Sequence, residues 1–280
     1  MIGRFRALGS SLVFLGGGFA LSLITLRWVG STLRPVLTGG AFSYAALQTA
    51  VLLLVFAFLT WLVGGRGLGL GAADFGLVPA PQGVRGFGRG FLLGCVLAAA
   101  AMSAAVVLGK AEWRDDGGTV TGWLGALGAT ALLLLPAALV EELIFRGVPM
   151  VALSRAFGRG FALIALALLF GAAHLWNDGI TPLALGNVAL AGVFLGLVFF
   201  TPGGLWTSTG AHLGWNLTLA GLAAPVSGLL LPMPWLDYTI RGPAWLTGGG
   251  FGPEGGILAA LCLTAGAALA GRRTRPERMA

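Results

Sequence analysis

Residues 124–150 read LGALGATALLLLPAALVEELIFRGVPM, an apolar run that carries Glu141-Glu142-Leu143-Ile144-Phe145-Arg146 in its second half. A membrane-spanning helix needs about 20 mostly apolar residues, and this run supplies them. An ionisable side chain at the bilayer centre costs about 3 kcal/mol on insertion scales, so three charges within six residues need a reason. Working outward, seven more apolar stretches of comparable character are present: Leu8 to Leu26, Phe42 to Val63, Gly90 to Val107, Gly160 to Leu175, Leu183 to Phe200, Leu205 to Ala223 and Gly256 to Ala270. Breakers separate them at Arg34-Pro35, Gly64 to Gly71, Pro79 to Pro81, Asp115 to Gly118, Thr201 to Gly204 and Leu231 to Pro234. The expected fold is therefore all-α, a polytopic membrane protein of about eight transmembrane helices. It forms a single membrane domain over 1–280, with a motif-bearing core at about 124–223 and a short basic tail at 271–280.

Composition agrees. Of the 280 residues 57% are hydrophobic and only 10% charged, which excludes a soluble globular domain and a disordered chain alike. The 48 glycines follow no collagen period and suit close helix packing in lipid. A net charge of +7 in a soluble protein would suggest a nucleic-acid partner. Here the basic residues lie between apolar runs, so no nucleic acid is expected and they act as topology signals. With the N-terminus inside, the inner segments hold Arg4, Arg6, Arg66, Arg85, Arg89, Arg155, Arg159, Arg272, Arg273, Arg275 and Arg278. The outer ones hold Arg27, Arg34, Lys110, Arg114 and Arg241. Positive residues in short loops stay cytoplasmic, so both termini are expected in the cytoplasm, in a bacterial inner membrane. Arg4 and Arg6 before the first stretch resemble a signal peptide's start, but no small-x-small cleavage site follows, which favours a retained span. Cys95 and Cys262 both fall in apolar runs and read as packing residues.

Spacing divides the first acidic pair. On a helix Glu142 and Arg146 are i and i+4 and can form an ion pair along one face, whereas Glu141 lies about 100° around the axis without that partner. Two acids for one arginine leave a surplus negative charge in low dielectric, to be resolved by neutralisation or a further cation. A free carboxylate in such a place is a candidate general base. His174 and His212 are the two histidines of the chain, and each falls within an apolar stretch. About the turn at Phe157-Gly158, Glu141 and His174 are mirror positions at matching depth on antiparallel helices. His212 and Asn216 are i and i+4 and share a helix face. Ser208 is the one loose candidate for a serine nucleophile, but it lacks a glycine-flanked setting and reads as a helix-capping residue near Pro202. Asp178 and Asp237 fall in segments expected to be interfacial turns with aromatic anchors, Trp176-Asn177-Asp178-Gly179 and Leu236-Asp237-Tyr238, so no aspartyl dyad is expected in the membrane.

Glu141-Glu142-x-x-x-Arg146, Phe170-x-x-x-His174 and His212-x-x-x-Asn216, in this order and on separate spans, resemble the CAAX prenyl protease and bacteriocin-processing family of intramembrane endopeptidases. The resemblance covers about Thr130 to Leu219, roughly a third of the chain. It implies an eight-helix fold and proteolysis of membrane-associated protein or peptide substrates. Glu141 would activate water, and His174, His212 and Asn216 would complete the site. The substrate does not carry over, since prenyl-protein processing is one branch of the family.

These residue types suit amide hydrolysis, which needs an activated water, stabilisation of an oxyanion and a proton for the leaving amine. The cofactor expectation is none, or a single divalent metal such as zinc held by Glu141, His174 and His212; the chain has no His-Glu-x-x-His motif. The alternative is a non-catalytic or transport protein whose Glu, His and Asn cluster relays protons or binds an ion or solute. Against it, the first 120 residues contain no counterpart of the Glu141 segment.

Overall fold

The computed structural model describes residues 2–32 and 40–274. The break expected at Arg34-Pro35 and the tail arginines Arg275 and Arg278 lie outside the described residues. Each of the eight apolar stretches is helical: α1 (Arg4–Thr32), α2 (Gly40–Leu59), α3 (Ala80–Val107), α4 (Val120–Arg146), α6 (Arg159–Ala173), α7 (Pro182–Phe199), α8 (Leu205–Gly221) and α10 (Ile257–Gly271). Two shorter helices, α5 (Val148–Phe157) and α9 (Ala244–Thr247), complete the set among the described residues. Among the described residues five segments are long and apolar enough to cross a membrane, Arg4–Ser31, Ser43–Gly67, Ala72–Val107, Val120–Phe157 and Pro182–Phe199. The protein is thus a helical integral membrane protein. The helices α6 and α10 are apolar but shorter, 15 residues each, and α8 has 17.

Several boundaries differ from the sequence expectation, each for a local reason. The glycine run after Val63 does not break α2, which continues through Thr60–Gly67 as a π-helical segment. Gly64 lets that segment approach α5, for a Cβ there would lie 2.8 Å from Val148 Cγ2. Helix α3 begins at Ala80 rather than Gly90, because Pro81 sits in its first turn, where a missing N–H costs nothing. The run 124–150 is not one helix. It ends at Arg146, and Gly147 adopts ψ −126° before Pro149 starts α5, since a proline can neither donate to the preceding turn nor fit against its carbonyl.

A small antiparallel ribbon was not expected. Strand β1 (Ala111–Asp115) pairs with β2 (Leu236–Ile240), so Leu236-Asp237-Tyr238 is strand rather than turn. Trp113 and Tyr238 are directly opposite, with ring centroids 5.6 Å apart, the aromatic cross-strand pairing that stabilises such ribbons. The turn around Asn177 and Asp178 does form as expected.

The helix pair that matters most for the site is α3 with α8. A Cβ on Gly90 would lie 2.0 Å from the Thr207 carbonyl oxygen, and one on Gly94 2.1 Å from that of Ala211. From the other side, Gly210 and Gly214 meet the carbonyls of Phe87 and Phe91 at 2.2 Å each. The two backbones touch along this seam, as small residues permit between helices in lipid. Ala98, Ala101, Met102 and Phe194 extend the same contact into a buried core. This contact sets the position of α8, and with it His212.

Candidate active site

The first component is the end of α4. Glu142 is fully buried and Arg146 is 1% exposed, and Arg146 Nη1 lies 3.1 Å from Glu142 Oε1, the i, i+4 pair read from the spacing. The guanidinium also donates from Nη2 to the Gly192 carbonyl on α7 at 3.1 Å and lies over the Phe170 ring at 4.7 Å. Its hydrogen bonds and the ring face explain how a cation is held inside an apolar bundle.

The second component is α8. His212 is buried among Gly210, Ala211, Leu213 and Gly214, and Nδ1 of its ring lies 3.0 Å from Glu142 Oε1. On the other side of the ring, Nε2 lies 3.8 Å from Glu141 Oε2. One imidazole thus stands between both glutamates. Glu141 is the more open of the two, its side chain 35% exposed, and its Oε2 has no hydrogen-bond partner. The i, i+4 argument had given Glu142 to Arg146 alone; its second bond crosses 70 residues of sequence and carries no local signal.

The third component is the end of α6. His174 is not inside the helix but caps it, one residue past Ala173, because the turn around Asn177 begins there. Its Nδ1 lies 2.7 Å from the Phe170 carbonyl oxygen. A carbonyl only accepts, so Nδ1 carries the hydrogen and Nε2 is left free to bind a ligand. The Phe170 ring links the components, with centroids 4.7 Å from His174 and 6.1 Å from His212. Ser208 is no helix cap: it lies within α8 and donates to the Leu205 carbonyl at 3.1 Å.

His174, His212 and Asn216 line one cavity of about 40 Å³, together with Phe170, Phe194 and Glu254. That is room for a few water molecules. Glu254, on the turn Pro253–Gly255 before α10, was not singled out from the sequence. Its Oε1 accepts from Trp215 Nε1 at 2.9 Å, and its Oε2 accepts from the Ser227 hydroxyl at 3.0 Å and from the Ser227 amide. Burial pushes its carboxyl above the usual range, and the Ser227 and Trp215 donors and the nearby His174 pull the other way. A lone Glu in a Gly-Pro-Glu-Gly-Gly loop has no sequence signature of a site residue, and only the fold brings it beside α8.

Among the described residues no three His, Cys, Asp or Glu side chains group to hold a metal ion. One nitrogen of each histidine is already engaged by Phe170 or Glu142.

A Glu-His-Glu-Arg array set among the helices of an integral membrane protein defines the class of the chain. Residues 123–218 match the model of one family within it, type II CAAX prenyl endopeptidase Rce1-like. This is the family that the three motifs resemble, and the matched segment runs from α4 to most of α8 and contains every motif residue. No curated protein and no solved structure matches the chain.

Proposed function

We propose that the protein is an intramembrane endopeptidase that hydrolyses peptide bonds of membrane-associated substrates, with Glu141 as the base that activates water. The observation that carries this reading is the placement of His212 between Glu141 and Glu142, at the wall of a cavity shared with His174 and Asn216. Support for the reaction class comes from the family match over the same residues.

In this mechanism water enters beside Glu141, on the side that faces Nε2 of His212. Glu141 Oε2, which no protein donor occupies, takes one proton as the water oxygen bonds to the carbonyl carbon. The carbonyl π electrons move to oxygen, and the oxyanion is met by the Asn216 amide and by N–H of His212. Charged as an imidazolium, His212 balances the surplus carboxylate, so that two glutamates, one arginine and one histidine sum to zero. As the C–N bond breaks, Glu141 returns its proton to the leaving amine. Glu142 orients the His212 ring, and Arg146 holds Glu142. No step of this reading passes through a metal.

The test is cleavage of a peptide library presented in micelles. Glu141→Gln keeps volume and most hydrogen bonds but accepts no proton, so turnover should fall by about 100- to 10,000-fold in a folded protein. Full activity in this variant would end the proposal and favour a binding or transport role.

A further inference from the structure

Glu254 differs from the other enclosed acids in what surrounds it. Glu142 has Arg146, and Glu141 has His212 at 3.8 Å. Around Glu254 the three hydrogen-bond donors, Trp215 Nε1, Ser227 Oγ and the Ser227 amide, are all neutral. Among the described residues no Lys or Arg nitrogen lies within ion-pair distance of it, and His174, whose charge would favour the ionised carboxylate, makes neither a hydrogen bond nor an ion pair to it. An enclosed carboxylate held by neutral donors alone is costly, and a cation brought to it recovers much of that cost.

The setting fixes which cation. Glu254 lines the same cavity as His174, His212 and Asn216, and the rest of the lining is mainly apolar, including Phe170, Phe194 and Leu263. A ligand entering there meets hydrocarbon along its length and a carboxylate where it ends. Three donors occupy three of the roughly four lone-pair positions of a carboxylate, which leaves acceptor capacity for one more hydrogen bond. The cavity of about 40 Å³ has room for a few water-sized groups. A primary ammonium, compact and with a hydrogen to spare for the remaining lone pair, fits this description. The carboxylate is also fixed in place. Asn187 on α7 donates to the backbone carbonyls of Glu254 and Gly256 at 2.7 and 2.8 Å, and Gly252 (φ 101°) lets the turn lie against the Pro225 carbonyl.

We propose that Glu254 is a specificity-determining residue, the anion that receives the ammonium group of a lysine side chain in the peptide substrate. The proposal rests on the cavity being an endopeptidase site, and it assigns a substrate feature that neither the motifs nor the matched segment 123–218 contains.

The experiment separates the two readings by measuring binding and cleavage independently. Membrane-anchored peptides bearing lysine, arginine or norleucine at each position of a scanned window are titrated against the Glu141→Gln protein in phosphatidylcholine nanodiscs, which carry no lipid primary amine. At one position the lysine peptide should bind about 10-fold tighter than norleucine, as for a single charge-assisted hydrogen bond, with arginine between them. Adding Glu254→Gln should remove the preference. Equal binding of lysine and norleucine at every position overturns the assignment, and this comparison needs no change at Glu254. A lysine preference that persists in folded Glu254→Gln protein places the receiving anion elsewhere and also overturns it. Lysine-selective binding with no cleavage by the unsubstituted protein would sink the endopeptidase reading while leaving the ammonium site standing. Cleavage without selectivity would do the reverse.

Discussion

His212 and Glu142 are hydrogen-bonded across α8 and α4, Nδ1 to Oε1 at 3.0 Å, and this bond makes the buried ion pair of α4 part of the candidate site. Glu142 therefore has two tasks, balancing Arg146 and orienting an imidazole. Glu142→Gln should reduce turnover of a folded protein by about 100-fold or more, as loss of a histidine-orienting carboxylate does in hydrolases. Peptide cleavage at matched folded concentration checks this. A variant that loses stability alone would return Glu142 to a purely structural role.

Arg146 touches neither the cavity nor Glu141 at ion-pair distance, and its expected contribution is to the fold. Arg146→Leu leaves the Glu142 carboxylate buried without its cation, at a cost of about 3 to 5 kcal/mol. Arg146→Lys should restore little, because a lysine cannot reproduce both the bond to Gly192 and the planar contact with Phe170. Thermal unfolding in detergent gives the answer, and unchanged melting of Arg146→Leu would refute it.

Chelation tests the chemistry directly. Since Glu141, His174 and His212 form no ligand trio among the described residues, a strong chelator should leave turnover unchanged. His174→Ala should lose activity by removing an imidazole from the cavity wall. Chelator-sensitive cleavage restored by zinc would require a different arrangement of these three residues.

Tyr238 gives a pH-dependent prediction outside the spanning segments. Burial pushes its hydroxyl up to about 12 from 10.0, and its oxygen has no hydrogen-bond partner. Between these values the unfolded chain has lost a proton that the folded chain keeps. Stability should therefore fall as pH rises from about 10. Tyr238→Phe should remove that slope and, by deleting an unsatisfied buried hydroxyl, raise stability by about 1 kcal/mol at neutral pH. Unfolding measured at pH 8 and pH 11 distinguishes the outcomes.

The arginine distribution predicts that residues near both termini face the cytoplasm. Reporter fusions after Arg4 and after Arg278 should give the same cytoplasmic answer. Opposite answers would refute an even number of crossings.

What could be read beforehand was local. Glu142 and Arg146 announce their contact by a four-residue interval, and apolar runs announce α1 to α4, α6 to α8 and α10. Contacts distant in sequence left no such trace. Nothing near Glu254 foretells Trp215 and Ser227, nothing near Ala111 foretells a strand partner at Ile240, and the bond from Glu142 to His212 depends on how α4 and α8 cross. The break at Gly147 is hidden for another reason: the apolar pattern runs straight through it and past Pro149.

The seam between α3 and α8 has a consequence for inheritance. Gly90, Gly94, Gly210 and Gly214 take part in no chemistry, yet any side chain placed there collides with main chain rather than with something that can rotate aside. Loss-of-function screening would therefore return these four alongside Glu141 and His212, and phenotype alone would not sort them. Abundance would: alleles at the seam should vanish from the membrane fraction, whereas alleles at the glutamate and the imidazole should accumulate as full-length, silent protein.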